Sequence, residues 1–170
     1  MRNKKYIIIL VLLIILSISA GSAMAYSLVG YQWNSNNITF SDYTTGSYAW
    51  SASRNWDSPT GLTNNITISS PNLSFTVMEV NQSGVAWDGI CYLTGSYGWI
   101  NSAACKDNLY YTSSYNSSKH QGVVTHEFGH GLGLGDLAGP VVAVMQGYTS
   151  MRSYTTVQAD DNNGINVLYP

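Results

Sequence analysis

The sequence predicts an α/β fold, a mixed sheet with helices packed on it, from three observations. Ile66-Thr67-Ile68 and Phe75-Thr76-Val77-Met78-Glu79-Val80 alternate at period two, which sends successive side chains to opposite faces of a strand. Residues 47–56 carry Ala49, Ala52 and Trp56 at helical spacing and stop before Pro59-Thr60-Gly61, a helix with its terminator. A further strand candidate, Ile38-Thr39-Phe40, precedes that helix. Strand, helix, then strands implies a sheet with a crossover helix.

At the start of the chain, Arg2, Lys4 and Lys5 precede an apolar run from Tyr6 to Leu16, and small residues lead to Ala23-Met24-Ala25. This order is that of a secretory signal peptide, residues 1–25, with cleavage expected after Ala25. An uncleaved membrane anchor is the alternative, but the run is shorter than the ~20 apolar residues a spanning helix needs. Residues 26–170 then suffice for one domain with a real core and are too few for a second.

From Tyr26 onward four basic residues (Arg54, Lys106, Lys119, Arg152) face nine acidic ones. No basic patch exists to bind nucleic acid or anionic lipid. Cys91 and Cys105 are the only cysteines, and in an oxidising compartment an even count implies one disulfide. Sequons at Asn37, Asn65, Asn72, Asn81 and Asn116 mark expected surface loops. The many tryptophans and tyrosines are read as core and sheet packing, and Leu109–Thr112 as another strand.

Ser118-Lys119-His120-Gln121 fits a capping box opening a second helix. His120 is expected at the surface near that cap. Val124, Phe128 and Leu132 recur every four residues and should face the core. Gly122, Gly129 and Gly131 each weaken the helix by roughly 1 kcal/mol relative to Ala, which close packing against neighbouring elements would justify.

That helix carries His126-Glu127-Phe128-Gly129-His130, followed by Gly133 and Asp136. Residues four apart stack on one helix face, so both imidazoles can reach one ion. Glu127 points aside from the pair, placed to act on water without being a ligand. Imidazole suits Zn²⁺, and a catalytic zinc takes three protein ligands with one position open. No glutamate follows Glu127 to supply the third. Gly133 can take the left-handed conformation that turns the chain back, which makes Asp136 the natural third ligand.

These residues resemble the metzincin metallopeptidases, whose motif is His-Glu-x-x-His-x-x-Gly-x-x-His followed by a Met-turn. Asp136 in place of the last histidine is similar to the variant of snapalysin-type proteases. Met145 falls about where matrixin-like members place the Met-turn, and residues 160–169 are similar to the last helix of matrixin domains. The resemblance covers residues 119–170 with specific motifs and the earlier part by layout.

It implies a twisted mixed sheet with two helices, then a small C-terminal subdomain with the Met-turn and a final helix. It also implies a secreted, monomeric zinc endopeptidase acting on protein or peptide substrates, with one catalytic Zn²⁺ and no indicated structural Ca²⁺. Glu127 would be the general base and Met145 the floor beneath the zinc. Tyr148 could donate to the oxyanion, although members with such a tyrosine carry it two residues after the methionine and here the spacing is three. Asp160 and Asp161 would tie the last helix to the Met-turn or to the chain start. Residues 139–144 and those after Met145 would wall the pocket just beyond the scissile bond, with a hydrophobic or aromatic preference. The cysteine that blocks the zinc in matrixin propeptides has no counterpart here. A catalytically inactive relative that binds peptide or glycan at a surface is the alternative, and the intact Glu127 argues against it.

Overall fold

The computed structural model describes residues 26–170; the signal segment expected at 1–25 lies outside them. Among the described residues no helix is long and apolar enough to cross a membrane. In chain order the elements are β1 (Ser27–Leu28), β2 (Asn37–Thr39), β3 (Ser41–Tyr43), α1 (Tyr48–Asp57), β4 (Thr67–Ser69), β5 (Phe75–Val80), β6 (Gly89–Ser96), β7 (Trp99–Asn108), α2 (Leu109–Thr112), α3 (Ser117–Gly131), β8 (Leu134–Gly135) and α4 (Ala159–Leu168).

The main sheet runs β3-β5-β7-β6. β3, β5 and β7 are parallel, and β6 lies antiparallel to β7 at the edge. A parallel pair, β2 with β4, lies beside it. The alternation in β5 works as the pattern requires: Phe75 and Val77 are buried opposite Ala103 and Cys105 of β7. Those side chains meet α3, whose Val124, Phe128 and Leu132 are fully covered. Phe128 packs against Phe75 at 4.7 Å and Phe40 at 5.1 Å between ring centroids, so three aromatics pin the helix to the sheet.

The β6–β7 hairpin turns on Tyr97 and Gly98, both at positive φ (52° and 83°). A two-residue turn of that kind matches the right-handed twist of its strands. Cys91 and Cys105 are direct cross-strand partners in it and form the expected disulfide.

Three local readings are corrected. Leu109–Thr112 is a helical turn, because Asn108 caps it: its side chain accepts from the Tyr110 N–H, and Thr112 Oγ1 donates to the Asn108 carbonyl. That cap outweighs the β propensity of two tyrosines. Helix α3 is capped by Asn116, which accepts from the Lys119 N–H at 2.9 Å, and not by Ser118. Gln121 instead ties α3 to α1 by donating to the Tyr48 carbonyl. His120 is buried, stacked on Tyr48 at 4.0 Å with Nε2 2.5 Å from Asp107 Oδ2.

The glycines of α3 are contact points. A β-carbon at Gly131 would strike Phe75, one at Gly122 would strike Thr155, and one at Gly129 would overlap Met145 Sδ and Trp56. The helix gives up propensity for approach.

Candidate metal and catalytic site

The last turn of α3 and the bend after it bring His126, His130 and Asp136 together. Gly133, at φ +103°, makes the bend, and a β-carbon there would run into the Tyr31 carbonyl. The helix-end carbonyls are capped from far along the chain: Trp33 Nε1 donates to Gly131 O at 2.9 Å and the Tyr169 hydroxyl to Leu132 O at 2.7 Å. β8 then pairs with β1, and Leu137 N–H donates to Met145 O at 2.9 Å. Asp136 is thus held between two paired segments.

Each histidine has its outer nitrogen committed. His126 Nδ1 donates to Val144 O at 2.9 Å and His130 Nδ1 to Leu134 O at 2.8 Å. A carbonyl accepts only, so Nδ1 carries the proton and Nε2 of the neutral ring presents a lone pair. Asp136 Oδ1 lies 3.2 Å from His126 Nε2 and 3.5 Å from His130 Nε2. Burial lowers His126 to about 4, so at neutral pH its lone pair faces a carboxylate oxygen. Burial also opposes protonation of His130, but the Asp136 carboxylate and the charge of Glu127 outweigh it and raise its pKa. When the rings carry a second proton, donation from His126 and then His130 holds Asp136 well below the usual carboxylate range.

The three donor atoms lie within 4.8 Å of one another. Ligands ~2.1 Å from a tetrahedral Zn²⁺ stand about 3.4 Å apart, which matches the two nitrogen–oxygen separations. They are long for charge-assisted hydrogen bonds, ~2.8 Å. With both rings neutral, acceptors face acceptors at that spacing, which suits a cation between them.

Glu127 is buried beside this set, and its Oε2 has no hydrogen-bond partner among the described residues. Burial raises it to about 7. Gly89, the first residue of β6, lies against it: a β-carbon there would fall 2.6 Å from Oε1. Gly147 likewise gives Asp136 room, since a β-carbon on it would come within 3.0 Å of Oδ1. Sequence reasoning missed both, since a glycine's service to a distant side chain leaves no local signature.

Met145 is buried against Gly129 and Trp56. Its N–H and that of Val144 donate to Asp161, at 3.1 and 2.8 Å. Asp161 therefore ties α4 to the methionine segment, as the matrixin likeness implied. The carboxylate also closes the α4 capping box on the Gln158 N–H.

Two cavities flank Glu127. One of about 320 Å³ is lined by β6 and by His126, His130 and Asp136. The other, about 480 Å³, is lined by Asp88, Tyr115, Lys119, Tyr148, Thr149 and Arg152 among others. Residues 139–144 do not wall it; the segment after Met145 does, and its lining mixes polar and charged side chains with aromatic ones. The 139–144 stretch is instead spent on packing Val144 under the site and on the Gly139 carbonyl, which accepts from Gln146. Tyr148 stands at the cavity, 64 % exposed.

A mixed, twisted sheet and a helix that sets a histidine pair and a buried glutamate beside a candidate cation site fit the metzincin type of metallopeptidase. The sequence model of the matrixin family matches residues 31–170, and the chain belongs to that family of zinc-dependent peptidases. No individual curated protein matches it.

Proposed function

We propose that the protein is an exported zinc endopeptidase, with residues 26–170 as its catalytic domain, in which His126, His130 and Asp136 hold the metal and Glu127 is the general base. The observation that carries this is the convergence of two lone-pair nitrogens and a carboxylate oxygen beside a buried carboxylate with an unpartnered oxygen. Zinc, when bound there, supplies the Lewis acidity that activates water and stabilises negative charge on the carbonyl oxygen.

Burial makes Glu127 a better base than an exposed carboxylate. It takes a proton from the attacking water as the oxygen–carbon bond forms, then delivers it to the amine nitrogen as the carbon–nitrogen bond breaks. Gly89 keeps Oε1 where that transfer needs it. Tyr148, at the rim, is placed to donate to the carbonyl oxygen once substrate covers it. Cavities on both sides of Glu127 favour cleavage within a chain over trimming at its end. Among the described residues β6 has no strand beyond it in the sheet, so an extended peptide can pair with that edge.

Zinc content and casein digestion, with Glu127→Ala as control, test the reading. Bound zinc and cleavage that disappears in Glu127→Ala are expected. Zinc without cleavage by the wild-type chain would leave only a binding protein on this fold.

A further inference from the structure

We propose that the cavity of about 480 Å³ beside Glu127 selects a carboxylate on the substrate, received by Arg152 and Lys119. This rests on the peptidase reading above and names the substrate class for it.

From Tyr26 onward the chain has four basic residues, and two of them line this one cavity. Both also line the adjoining cavity of about 430 Å³, so they stand in the wall between the two. A chain this poor in cations, with more than twice as many acids, has placed half of them beside its catalytic glutamate.

Neither is spent on an ion pair. Arg152 Nε and Nη2 donate to the Gln146 carbonyl at 3.2 and 3.0 Å, and Nη1 to the Gly122 carbonyl at 3.2 Å. A guanidinium carries five N–H groups, so two have no acceptor among the described residues. Burial lowers the pKa of Arg152, and nearby acids only partly offset this. Lys119 Nζ stands 3.5 Å from the Tyr115 ring centroid, with no carboxylate in ion-pair range. Asp88, on the same wall, is occupied by neutral donors: the Tyr115 hydroxyl at 3.0 Å and Thr149 Oγ1 at 3.1 Å.

A guanidinium fixed by backbone carbonyls is preorganised, so a carboxylate meets it with little loss of side-chain freedom. A leucine or phenylalanine in the same space would leave those N–H groups dry and unpaired. The source is either an Asp or Glu side chain next to the scissile bond or a chain-end carboxylate just past it. Both offer the same two oxygens.

The test uses the zinc-loaded protein and quenched fluorescent peptides of one sequence, with Glu, Gln or Leu at each residue flanking the scissile bond. At one flank Glu should exceed Gln in kcat/KM by about tenfold, and the advantage should shrink with salt. It should vanish in Lys119→Gln and invert in Lys119→Glu, with thermal melts confirming that both variants fold. Peptides ending just past the scissile bond, as free acid or amide, separate a chain-end carboxylate from a side-chain one. Leu cleaved faster than Glu at both flanks, with no loss on amidating the chain end, overturns the proposal. So does a Glu-to-Gln ratio unmoved by Lys119→Glu, which is what a purely structural Arg152 and Lys119 would give. Titration calorimetry of the Glu and Gln peptides on Glu127→Ala decides the matter if nothing is cleaved. Tighter binding of the Glu peptide then keeps this proposal while the peptidase reading falls; equal binding sinks it.

Discussion

Gly89 stands so close to Glu127 that a β-carbon on residue 89 would lie 2.6 Å from Oε1 and 2.7 Å from Val123 Cγ1. The edge strand therefore sets the position of the Glu127 carboxylate, the proposed general base. Gly89→Ala is expected to push the carboxylate aside and lower kcat by about 100-fold, the usual cost of a misplacement near 1 Å. Zinc content should be unchanged, since the atoms nearest a β-carbon on residue 89 belong to Glu127 and Val123 and not to the proposed ligands. Full activity in a folded Gly89→Ala would show that Glu127 does not need this placement.

The third ligand predicts a pH effect. A carboxylate donates negative charge, so zinc held by Asp136 should be a weaker Lewis acid than zinc held by three imidazoles. Asp136→His should move the acidic limb of the kcat/KM profile down by about one pH unit, with zinc retained. An unmoved limb at full zinc occupancy would remove Asp136 from the metal.

In the metal-free protein Glu127 should contribute a loss of stability as pH rises toward neutrality, opposed by His126, whose pKa burial lowers to about 4. Burial raises Glu127 to about 7 from an ordinary 4.5. Between those values the folded chain keeps a proton on Glu127 that the unfolded chain has released, so the contribution of this residue to stability falls across that window and levels off above it. Glu127→Gln cannot release that proton. In chelator, its advantage over wild type in urea unfolding should grow by about 3 kcal/mol from pH 4.5 to pH 8. Parallel stability profiles for the two proteins would refute this.

The two neighbouring acids of α4 should behave very differently. Asp161 accepts from Val144, Met145 and Gln158, and removing it strands buried N–H groups. Asp161→Ala should cost about 3–5 kcal/mol and lower Tm by roughly 10 °C. Asp160 makes no such bonds, and Asp160→Ala should stay within about 0.5 kcal/mol. Equal Tm values for the two variants would show that the carboxylate does not hold the methionine segment.

The parts of this molecule legible in the sequence were those whose signal is local. The histidine pair reads from helix periodicity alone, Gly133 from its conformational freedom, and Phe75–Val80 and residues 47–56 from clean alternation or spacing. The β6–β7 hairpin was not legible, because Gly89, Gly95 and a run of small polar residues blur its alternation. The Asn108 cap was overlooked beneath β-prone tyrosines. His120 looked exposed because its partner, Asp107, belongs to a strand that had not been recognised. Arg152 and Gly147 gave no sign, since their roles depend on what folds against them. Chemistry is written in short words here and its setting in long-range contacts.

The Tyr169 hydroxyl accepts from the Trp33 N–H and donates to the Leu132 carbonyl, so a residue far downstream seals the bend that carries Gly133 and Asp136. A molecule clipped ahead of Tyr169 would keep its motif intact and yet lose the latch on the turn that carries Asp136. Loss of the last two residues would then loosen that bend without removing any side chain proposed to hold the metal or move the proton.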